Sequence, residues 1–454
     1  MGVRAPEQPF QFWRGNSANA VVPFGQALLF ESGNDPVRLA QWARLPILVV
    51  GTGLVVGIFL WGRRLYGPWP ALLGTALVAT CPNLIAHAGL ATEDLGCSAL
   101  VFAAAWTFWL AYRDGGTWRW GRCGAMTGLA FVSKYTALVM LPSFFIIAAF
   151  TVLSRRSRLT STEWLRALAI VAAVGAAVVS VAYGPHWGWP LYIQGLQSIY
   201  GDAAAVSYEY YLAGSFSQTA TWYYTLAAFA FKVSATTIAL LLLAFALVLR
   251  PGDDREDAVF VLVPAAAIVV ASFFDPANLG LRRILPAFPF LYLFASRVLA
   301  APLGRLRTTT VLAAVVLMVW TASETLRIYP HHLSYFSAAA GGPLNGPNLL
   351  DDSNIDWGQD LPALAEWIRQ HPEAGAVRLA YFGTSVPQAY GVNATMLEDP
   401  RALVDPAAGT YAISVHLLVR LKRLASQGDA RLDWLSRYRP VGRAGYSIYI
   451  YRVP

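Results

Sequence analysis

Pairs of charged residues stand at the ends of long apolar segments in this sequence. Glu93 and Asp94 come directly before the apolar run 95–112, where a carboxylate costs about 2–3 kcal/mol unless it is solvated or paired. Thr92, Glu93 and Asp94 also suit the first turn of a helix, because acidic residues there complement the helix dipole. Two interpretations stay open: a helix cap alone, or a cap that also takes part in a functional site.

Arg282 and Arg283 open another apolar run. Two guanidinium groups at the end of a span need a partner that offsets their cost. A phosphate group at the membrane surface would be such a partner, because the forked donors of arginine match phosphate oxygens. Ion pairs with Asp275, or with Glu93 and Asp94, are the alternative.

Lys134, Lys232 and His186 are the other candidates for binding an anion or a metal. Both lysines lie near the ends of apolar runs, where the ammonium group either reaches water or binds an anion. His186 stands in the aromatic loop 183–190, where it belongs to an interfacial aromatic belt or serves as a ligand of a divalent metal. A single histidine does not specify a metal site without partners.

Aromatic residues continue beyond this loop, in the segments 208–211 and 222–224. The stretch 185–219 contains no Lys or Arg. Aromatic rings hold the faces of sugars, but they also gather at membrane interfaces, and both interpretations stay open.

The stretch 349–360 places several carboxylates, a Trp and a Gln just after the last long apolar run. Asp356 or Asp360 would cap a helix that begins near Leu361, and Trp357 would cover its first turn. We interpret the stretch mainly as a hinge that seats a following domain over a cavity at the membrane surface, rather than as a catalytic centre.

The composition indicates what positions these residues. Hydrophobic residues make up 56% of the 454-residue chain and charged residues 13%, well below the ~25% of soluble proteins. We therefore predict a polytopic α-helical membrane protein. The formal charge of +8 does not indicate a nucleic-acid partner, because the basic residues form short clusters between apolar runs.

Apolar runs of spanning length predict about ten transmembrane helices. The segment 122–153 is interrupted by Ser133-Lys134-Tyr135, which predicts two helices meeting at a polar turn, and the segment 221–249 predicts one long tilted helix. The remaining runs lie at 44–62, 70–88, 95–112, 166–184, 258–274, 282–300 and 309–328.

Arginine bias predicts the orientation of these helices. Basic clusters occupy alternate loops, which the positive-inside rule places in the cytoplasm. The outward segments are then the amino terminus, 87–94, 185–219, 275–283 and everything after about 329.

We predict three parts in the chain: an outward segment at 1–42, a transmembrane domain at 43–328 and a small outward-facing α/β domain at 329–454. In the last part, apolar alternation predicts strands and amphipathic spacing predicts helices. The predicted strands are 377–383, 409–415 and 447–452, and the predicted helices are 361–371 and 416–427.

Five phrases occur in order along the chain, at 63–67, 82–94, 128–136, 280–286 and 352–361. Together they resemble the polyprenyl-phosphate-dependent glycosyltransferases of the GT-C fold, which are relatives of the protein O-mannosyltransferases and the lipid A aminoarabinose transferases. The resemblance runs from about residue 40 to the end of the chain.

This resemblance implies a sugar donor carried on a polyprenyl phosphate and an acceptor that is a protein or a lipid. It places the transfer on the outer side of the bacterial inner membrane. It also implies that Asp94 and Glu93 are the catalytic carboxylates, with a general base acting on the acceptor hydroxyl.

The resemblance further implies that Arg282 and Arg283 lie beside the donor phosphate, whose growing charge cations stabilise. Lys232 and Lys134 are predicted to bind the same phosphate. His186 lies in the loop where some relatives place a metal ligand, which predicts a divalent metal as the one candidate cofactor.

The sequence departs from the family at its start. The family's principal carboxylate pair lies in a first outward loop after a first span, and Glu7 and Asp35 do not match that pair. We therefore expect that the chain lacks an upstream helix with its following loop, and that its sugar transfer is impaired.

Two other functions are compatible with a polytopic chain. A transporter or lipid flippase would show internal repeats or charges at the bilayer midplane, and neither is evident here. A remnant that only binds polyprenyl phosphate is the third hypothesis. The identity of the sugar and of the acceptor is not encoded in any of these motifs.

Overall fold

The computed structural model describes residues 2–6, 21–155, 157–184, 188–205, 209–249, 256–300, 307–397, 399–432 and 434–454. The helices are α1 (Val21–Gln26), α2 (Pro36–Tyr66), α3 (Pro68–Ala79), α4 (Pro82–Gly89), α5 (Glu93–Asp114), α6 (Thr117–Ser133), α7 (Met140–Leu153), α8 (Ser161–Tyr183), α9 (Gly188–Ala205), α10 (Tyr224–Lys232), α11 (Ala235–Val248), α12 (Glu256–Ser272), α13 (Phe288–Ser296), α14 (Arg307–Arg327), α15 (Gly346–Leu349), α16 (Leu361–Gln370), α17 (Val415–Ser426) and α18 (Trp434–Arg437).

Seven strands accompany these helices, and all of them lie after residue 209. They are β1 (Tyr210–Leu212), β2 (Ser215–Ser217), β3 (Val377–Ala380), β4 (Ala394–Met396), β5 (Gly409–Ser414), β6 (Gly442–Ala444) and β7 (Ile448–Val453). The first two form an antiparallel hairpin, and the other five form one sheet.

Long apolar helices build the part of the chain before residue 328. Within the described residues, five helices are long and apolar enough to cross a membrane, or up to seven if each of two bent pairs counts as one span. Several of them keep large apolar side chains on the outside, such as Leu312, Val316 and Val319 of α14. Such a surface is stable against lipid rather than water, so the chain is an integral membrane protein.

The predicted number of ten spans is not confirmed. The run 282–300 is divided into a 3₁₀ segment, Leu281–Ala287, and the short helix α13. Pro286 and Pro289 stand at this division, and proline removes a backbone donor that a continuous helix needs.

The polar turn that was predicted within the segment 122–153 is present. Helix α6 ends at Ser133, Lys134 is extended, and a 3₁₀ turn precedes α7. The prediction of one tilted helix at 221–249 is wrong, because α10 and α11 meet at 113°. Ser234 begins the second of these helices by accepting a hydrogen bond from the Thr237 amide, so capping competes with continuation of the helix.

Close packing of α6 against α8 determines where Lys134 leaves the bundle. A Cβ atom on Gly128 would lie 2.7 Å from the Gly175 carbonyl oxygen, so these backbones approach as only small residues allow. Lys134 follows the end of α6 directly and is therefore held at a defined place at the end of the bundle.

The domain after residue 329 is an α/β unit, as the alternation predicts. Its sheet has the order β4-β3-β5-β7-β6, with β3 parallel to β4 and β5, and with β7 antiparallel to β5 and β6. Side chains alternate across the sheet, so that Tyr411 and Ile413 pack on one face and Ala412 on the other. Helices α16 and α17 supply Leu364 and Leu418 to these two cores.

A candidate anion-binding cavity at the ends of the helices

A cavity of about 280 Å³ lies where α5 begins, α6 ends and the 3₁₀ segment 281–287 starts. Its wall presents three cationic side chains and one carboxylate. The lining residues are Glu93, Phe131, Val132, Ser133, Lys134, Tyr135, Thr136, Tyr183, Leu279, Arg282 and Arg283.

Lys134 is fixed in this wall by two carboxylates. Its ammonium group forms an ion pair with Asp94 and lies 3.3 Å from Glu93 Oε1. The Asp94 side chain is 1% exposed, whereas that of Glu93 is 63% exposed. The buried Asp94 carboxylate therefore holds the Lys134 ammonium group at the cavity wall.

The structure separates the two carboxylates that the sequence predicts to be catalytic. Both lie in the first turn of α5, as the capping interpretation requires. Asp94 does not line the cavity; its Oδ2 atom lies 3.6 Å from His87 Nδ1 and has no described hydrogen bond. Glu93 lines the cavity and is therefore the carboxylate that a ligand can reach.

Arg283 forms an ion pair with Asp275, which was one of the alternatives that the sequence left open. The two side chains approach to 2.9 Å, and both are mostly buried. Burial raises the pKa of the Asp275 carboxyl, and the Arg283 guanidinium opposes that effect. Asp275 does not line the cavity, so the pair presents its cation to the cavity and its carboxylate to the wall.

Arg282 has no carboxylate partner within the described part of the chain. Its Nε donates to the Leu279 carbonyl oxygen at 3.1 Å, and its guanidinium carbon lies 4.7 Å from the centre of the Trp357 ring. The same Trp357 ring contacts His87 edge to face at 6.0 Å. Trp357 was predicted to cover a helix turn; instead it supports an arginine of the cavity.

The loop Asp352–Asn354 holds the segment that carries these arginines. Ser353 Oγ donates to the Leu279 carbonyl oxygen at 2.8 Å, and the Leu281 amide donates to Asn354 Oδ1 at 3.0 Å. Gly280 lies between the two contacts with φ +86°, a conformation that L side chains rarely adopt. Sequence reasoning missed Ser353 and Asn354, although they lie in a phrase on which the family resemblance rests.

The structure does not bring Lys232 into the cavity. Its side chain is 2% exposed, and its ammonium group donates to the carbonyl oxygens of Asn354 and, at 2.7 Å, Leu333. The Asn83 side-chain amide donates to the Lys232 carbonyl oxygen at 2.7 Å. Lys232 thus connects the bend after α10 to the part of the chain after residue 329.

The predicted metal ligand His186 lies outside the described residues. Within the ranges that the structure describes, no group of three or more His, Cys, Asp or Glu side chains could hold a metal ion. The divalent metal therefore stays a prediction from the resemblance.

The capping role predicted for Asp360 is wrong. Asp360 occupies the N-cap position of α16, but its carboxylate makes no cap hydrogen bond. It accepts hydrogen bonds from the Ser447 hydroxyl and amide and from the Tyr446 amide, and it lies 2.9 Å from His331 Nδ1. Donors that follow Asp360 by four strands in the chain thus bind its carboxylate in place of the backbone amides at the start of α16.

Asp356 is completely buried and does not cap α16 either. One of its oxygens accepts a hydrogen bond from the Gly358 amide at 3.0 Å, and the His416 backbone and the Ser414 side chain also act on this carboxyl. Burial raises the pKa of this carboxyl to about 8, so it is protonated at neutral pH.

Comparisons with known proteins agree with the class that these motifs indicate. The family model of dolichyl-phosphate-mannose-protein mannosyltransferases matches residues 28–181, a range that includes Glu93, Asp94 and Lys134. The predicted resemblance to the GT-C glycosyltransferases is thereby confirmed over this part of the chain, and the match indicates a glycosyltransferase.

The solved structures that are similar to this chain include those of two proteins from two organisms. ArnT from Cupriavidus metallidurans in the apo state is 14% identical, with a TM-score of 0.49 over 95% of this chain and 86% of ArnT. The ArnT structure bound to undecaprenyl phosphate is 15% identical, with a TM-score of 0.45 and the same coverage. The oligosaccharyltransferase from Archaeoglobus fulgidus, tethered to an acceptor peptide, is 11% identical, with a TM-score of 0.47 over 95% of this chain and 65% of that one. A search of curated proteins found no match.

Proposed function

We propose that this chain transfers a sugar from a polyprenyl-phosphate-linked donor to an acceptor hydroxyl. The observation that carries the proposal is the cavity wall, which presents Lys134, Arg282 and Arg283 against the single carboxylate of Glu93. A phosphate group placed there would meet three cations held by contacts behind the wall. The apolar residues Phe131 and Leu279 beside them suit the first carbons of a lipid chain.

The proposed reaction assigns a different role to each charged group. The acceptor oxygen attacks the anomeric carbon, the bond from that carbon to the phosphate oxygen breaks, and its electron pair stays on the phosphate. The three cations stabilise this developing charge. Glu93 takes the acceptor proton as general base. Asp94 and Asp275 position Lys134 and Arg283 rather than touching substrate.

The location of the reaction follows from the arginine bias. We propose that the cavity and the domain after residue 329 lie on the outer side of a bacterial inner membrane, since the basic loops between the spans belong in the cytoplasm. A protein or a lipid is the proposed acceptor.

Binding of undecaprenyl phosphate to the full chain in lipid nanodiscs tests the phosphate site. Arg282→Gln removes the one cation of the wall that has no carboxylate partner in the described structure. A hydrogen bond to a charged group contributes about 1.5–3 kcal/mol, so we expect affinity to fall about tenfold to a hundredfold.

Arg401→Gln is the matched control for this experiment. Arg401 does not line the cavity, and its side chain is 91% exposed. The control should bind like the unchanged chain. Equal affinity in the Arg282→Gln variant would refute the phosphate site. Intact binding without any release of undecaprenyl phosphate from undecaprenyl-phosphate sugars would favour the remnant that only binds.

A further inference from the structure

A second cavity, of about 410 Å³, lies beside the β1–β2 hairpin. Its size is within the range of small-molecule sites, which is about 300–1,000 Å³. The lining residues are Tyr210, Leu212, Ala213, Ser215, Phe216, Ser217, Thr221, Tyr223, Tyr224, Ala227, Phe231 and Asn278.

The wall of this second cavity has a chemistry unlike that of the first. Five of its lining residues are aromatic, and none of the lining residues carries a charge. Hydroxyl groups are also present, and among the described contacts those of Ser215, Thr221 and Tyr223 form no side-chain hydrogen bond. The cavity therefore presents aromatic side chains together with neutral polar groups, and no charged side chain lines it.

The two cavities share one short wall. Asn278 lines the second cavity and Leu279, the next residue, lines the first. The Tyr210 hydroxyl donates to the Pro276 carbonyl oxygen at 3.2 Å, which ties the hairpin to this wall. The wall also includes Asp275, the partner of Arg283.

We propose that the second cavity binds an uncharged sugar ring that is one part of a larger acceptor, a glycan or a glycolipid, whose reacting hydroxyl extends to Glu93 in the first cavity. The proposal rests on the proposed transferase function and adds the chemical class of the acceptor. Aromatic rings pack against the C–H faces of a sugar, while neutral hydroxyls bond its hydroxyl groups. An acidic or phosphorylated acceptor would find no cation in this wall, and a purely aliphatic one would leave the hydroxyls without partners.

Filling the cavity tests the proposal. Ala227 lines it and lies on α10, whereas its neighbour Leu226 does not line it and is 41% exposed. The full chain in nanodiscs is examined by saturation-transfer NMR with methyl β-D-glucopyranoside as the probe. We expect transfer to the ring protons, at least a fivefold loss in Ala227→Phe, and no loss in the matched variant Leu226→Phe.

A second pair of variants keeps the test decisive if Ala227→Phe fails to fold. Tyr223 is 47% exposed, so its replacement disturbs little of the core. Tyr223→Ala should lose at least half of the transfer, and Tyr223→Phe, which keeps the ring, should retain most of it. Absence of transfer in the unchanged chain, or equal transfer in Ala227→Phe or in Tyr223→Ala, would overturn the proposal.

The failure of this proposal can be told apart from failure of the transferase function. Ala227→Phe should leave the affinity for undecaprenyl phosphate unchanged, because that ligand belongs in the other cavity. If Arg282→Gln has no effect on undecaprenyl phosphate while the pyranoside still binds and Ala227→Phe still removes it, the phosphate site is refuted and the sugar site stands.

Discussion

Adding a single methyl group at Gly280 should alter the first cavity by displacing the backbone that carries two of its arginines. Its φ and ψ angles are +86° and 179°. Gly67 has nearly the same conformation, with φ +91° and ψ 178°. A Cβ atom on Gly280 would lie 2.6 Å from Ser353 Oγ and 3.0 Å from Asn354 Oδ1, whereas one on Gly67 would meet nothing within 4 Å.

These two glycines form a matched pair. An alanine in this region of φ and ψ costs about 1–3 kcal/mol, and both variants incur that cost. Gly280→Ala also displaces the two hydrogen bonds that hold residues 279–281, at about 1 kcal/mol each. We therefore expect Gly280→Ala to lower the free energy of unfolding by about 2 kcal/mol more than Gly67→Ala.

The same substitution should also lower the affinity for undecaprenyl phosphate. Arg282 and Arg283 directly follow Gly280, so displacement of the backbone moves both guanidinium groups. We expect the affinity for undecaprenyl phosphate to fall about tenfold in Gly280→Ala, which corresponds to about 1.4 kcal/mol, and to stay unchanged in Gly67→Ala. SDS titration in mixed micelles measures the unfolding, and binding in nanodiscs measures the affinity. Equal stability and equal affinity in the two variants would refute the reasoning.

Three further predictions concern single side chains. Glu93→Gln should lower the rate of sugar transfer about 10²–10⁴-fold with little change in undecaprenyl phosphate affinity. Asp94→Asn should lower both the rate and the affinity, because it releases Lys134. The reverse pattern in kinetic and binding assays would exchange the roles of the two carboxylates. Asp356 has a folded-state pKa of about 8, far above its unfolded value, so the unchanged chain should lose stability as pH rises from about 4 to about 8. Asp356→Asn should lack this loss, and parallel pH profiles of unfolding would contradict the assignment. Trp357→Ala should weaken undecaprenyl phosphate binding about twofold to tenfold by removing the ring under Arg282, while Trp357→Phe should restore most of it; unchanged binding in the alanine variant would show that the contact does not matter.

The α/β domain after residue 329 illustrates what local sequence patterns can predict. Strands β3, β5 and β7 and helices α16 and α17 begin and end within a few residues of their predicted bounds. Each of them buries one face against a core, so alternation or helical spacing is visible in the sequence. Strands β4 and β6 were not predicted, because each has three residues and presents no alternation long enough to detect.

The sequence predicted some members of the candidate site but not their arrangement, because Asp94 and Lys232 do not line the cavity. Glu93, Lys134, Arg282 and Arg283 do line one cavity, since each stands where a helix begins or ends on the same side. Which of two adjacent carboxylates faces a ligand depends on the rotation of α5, and neighbouring residues point about 100° apart on a helix.

Contacts between residues far apart in the chain explain why the predicted roles of other residues were wrong. Trp357 reaches Arg282, and Asp360 reaches Ser447, although a local capping role was available to both segments. The bend after Lys232 was not predicted for a related reason, because the apolar run continues through it. The bend depends on a capping serine and on carbonyl acceptors far along the chain.

The position of Lys232 has a consequence for biosynthesis. Its ammonium group is buried at the end of α10, yet the carbonyl oxygens that it bonds belong to Leu333 and Asn354. During synthesis the ribosome makes this helix long before those acceptors exist, so the charge must wait in water, in the insertion machinery or at the lipid headgroups. The bend can therefore take its final position only after residues up to 354 have been synthesised. The contacts that hold the end of α10 are thus completed by residues that follow it by about a hundred positions in the chain.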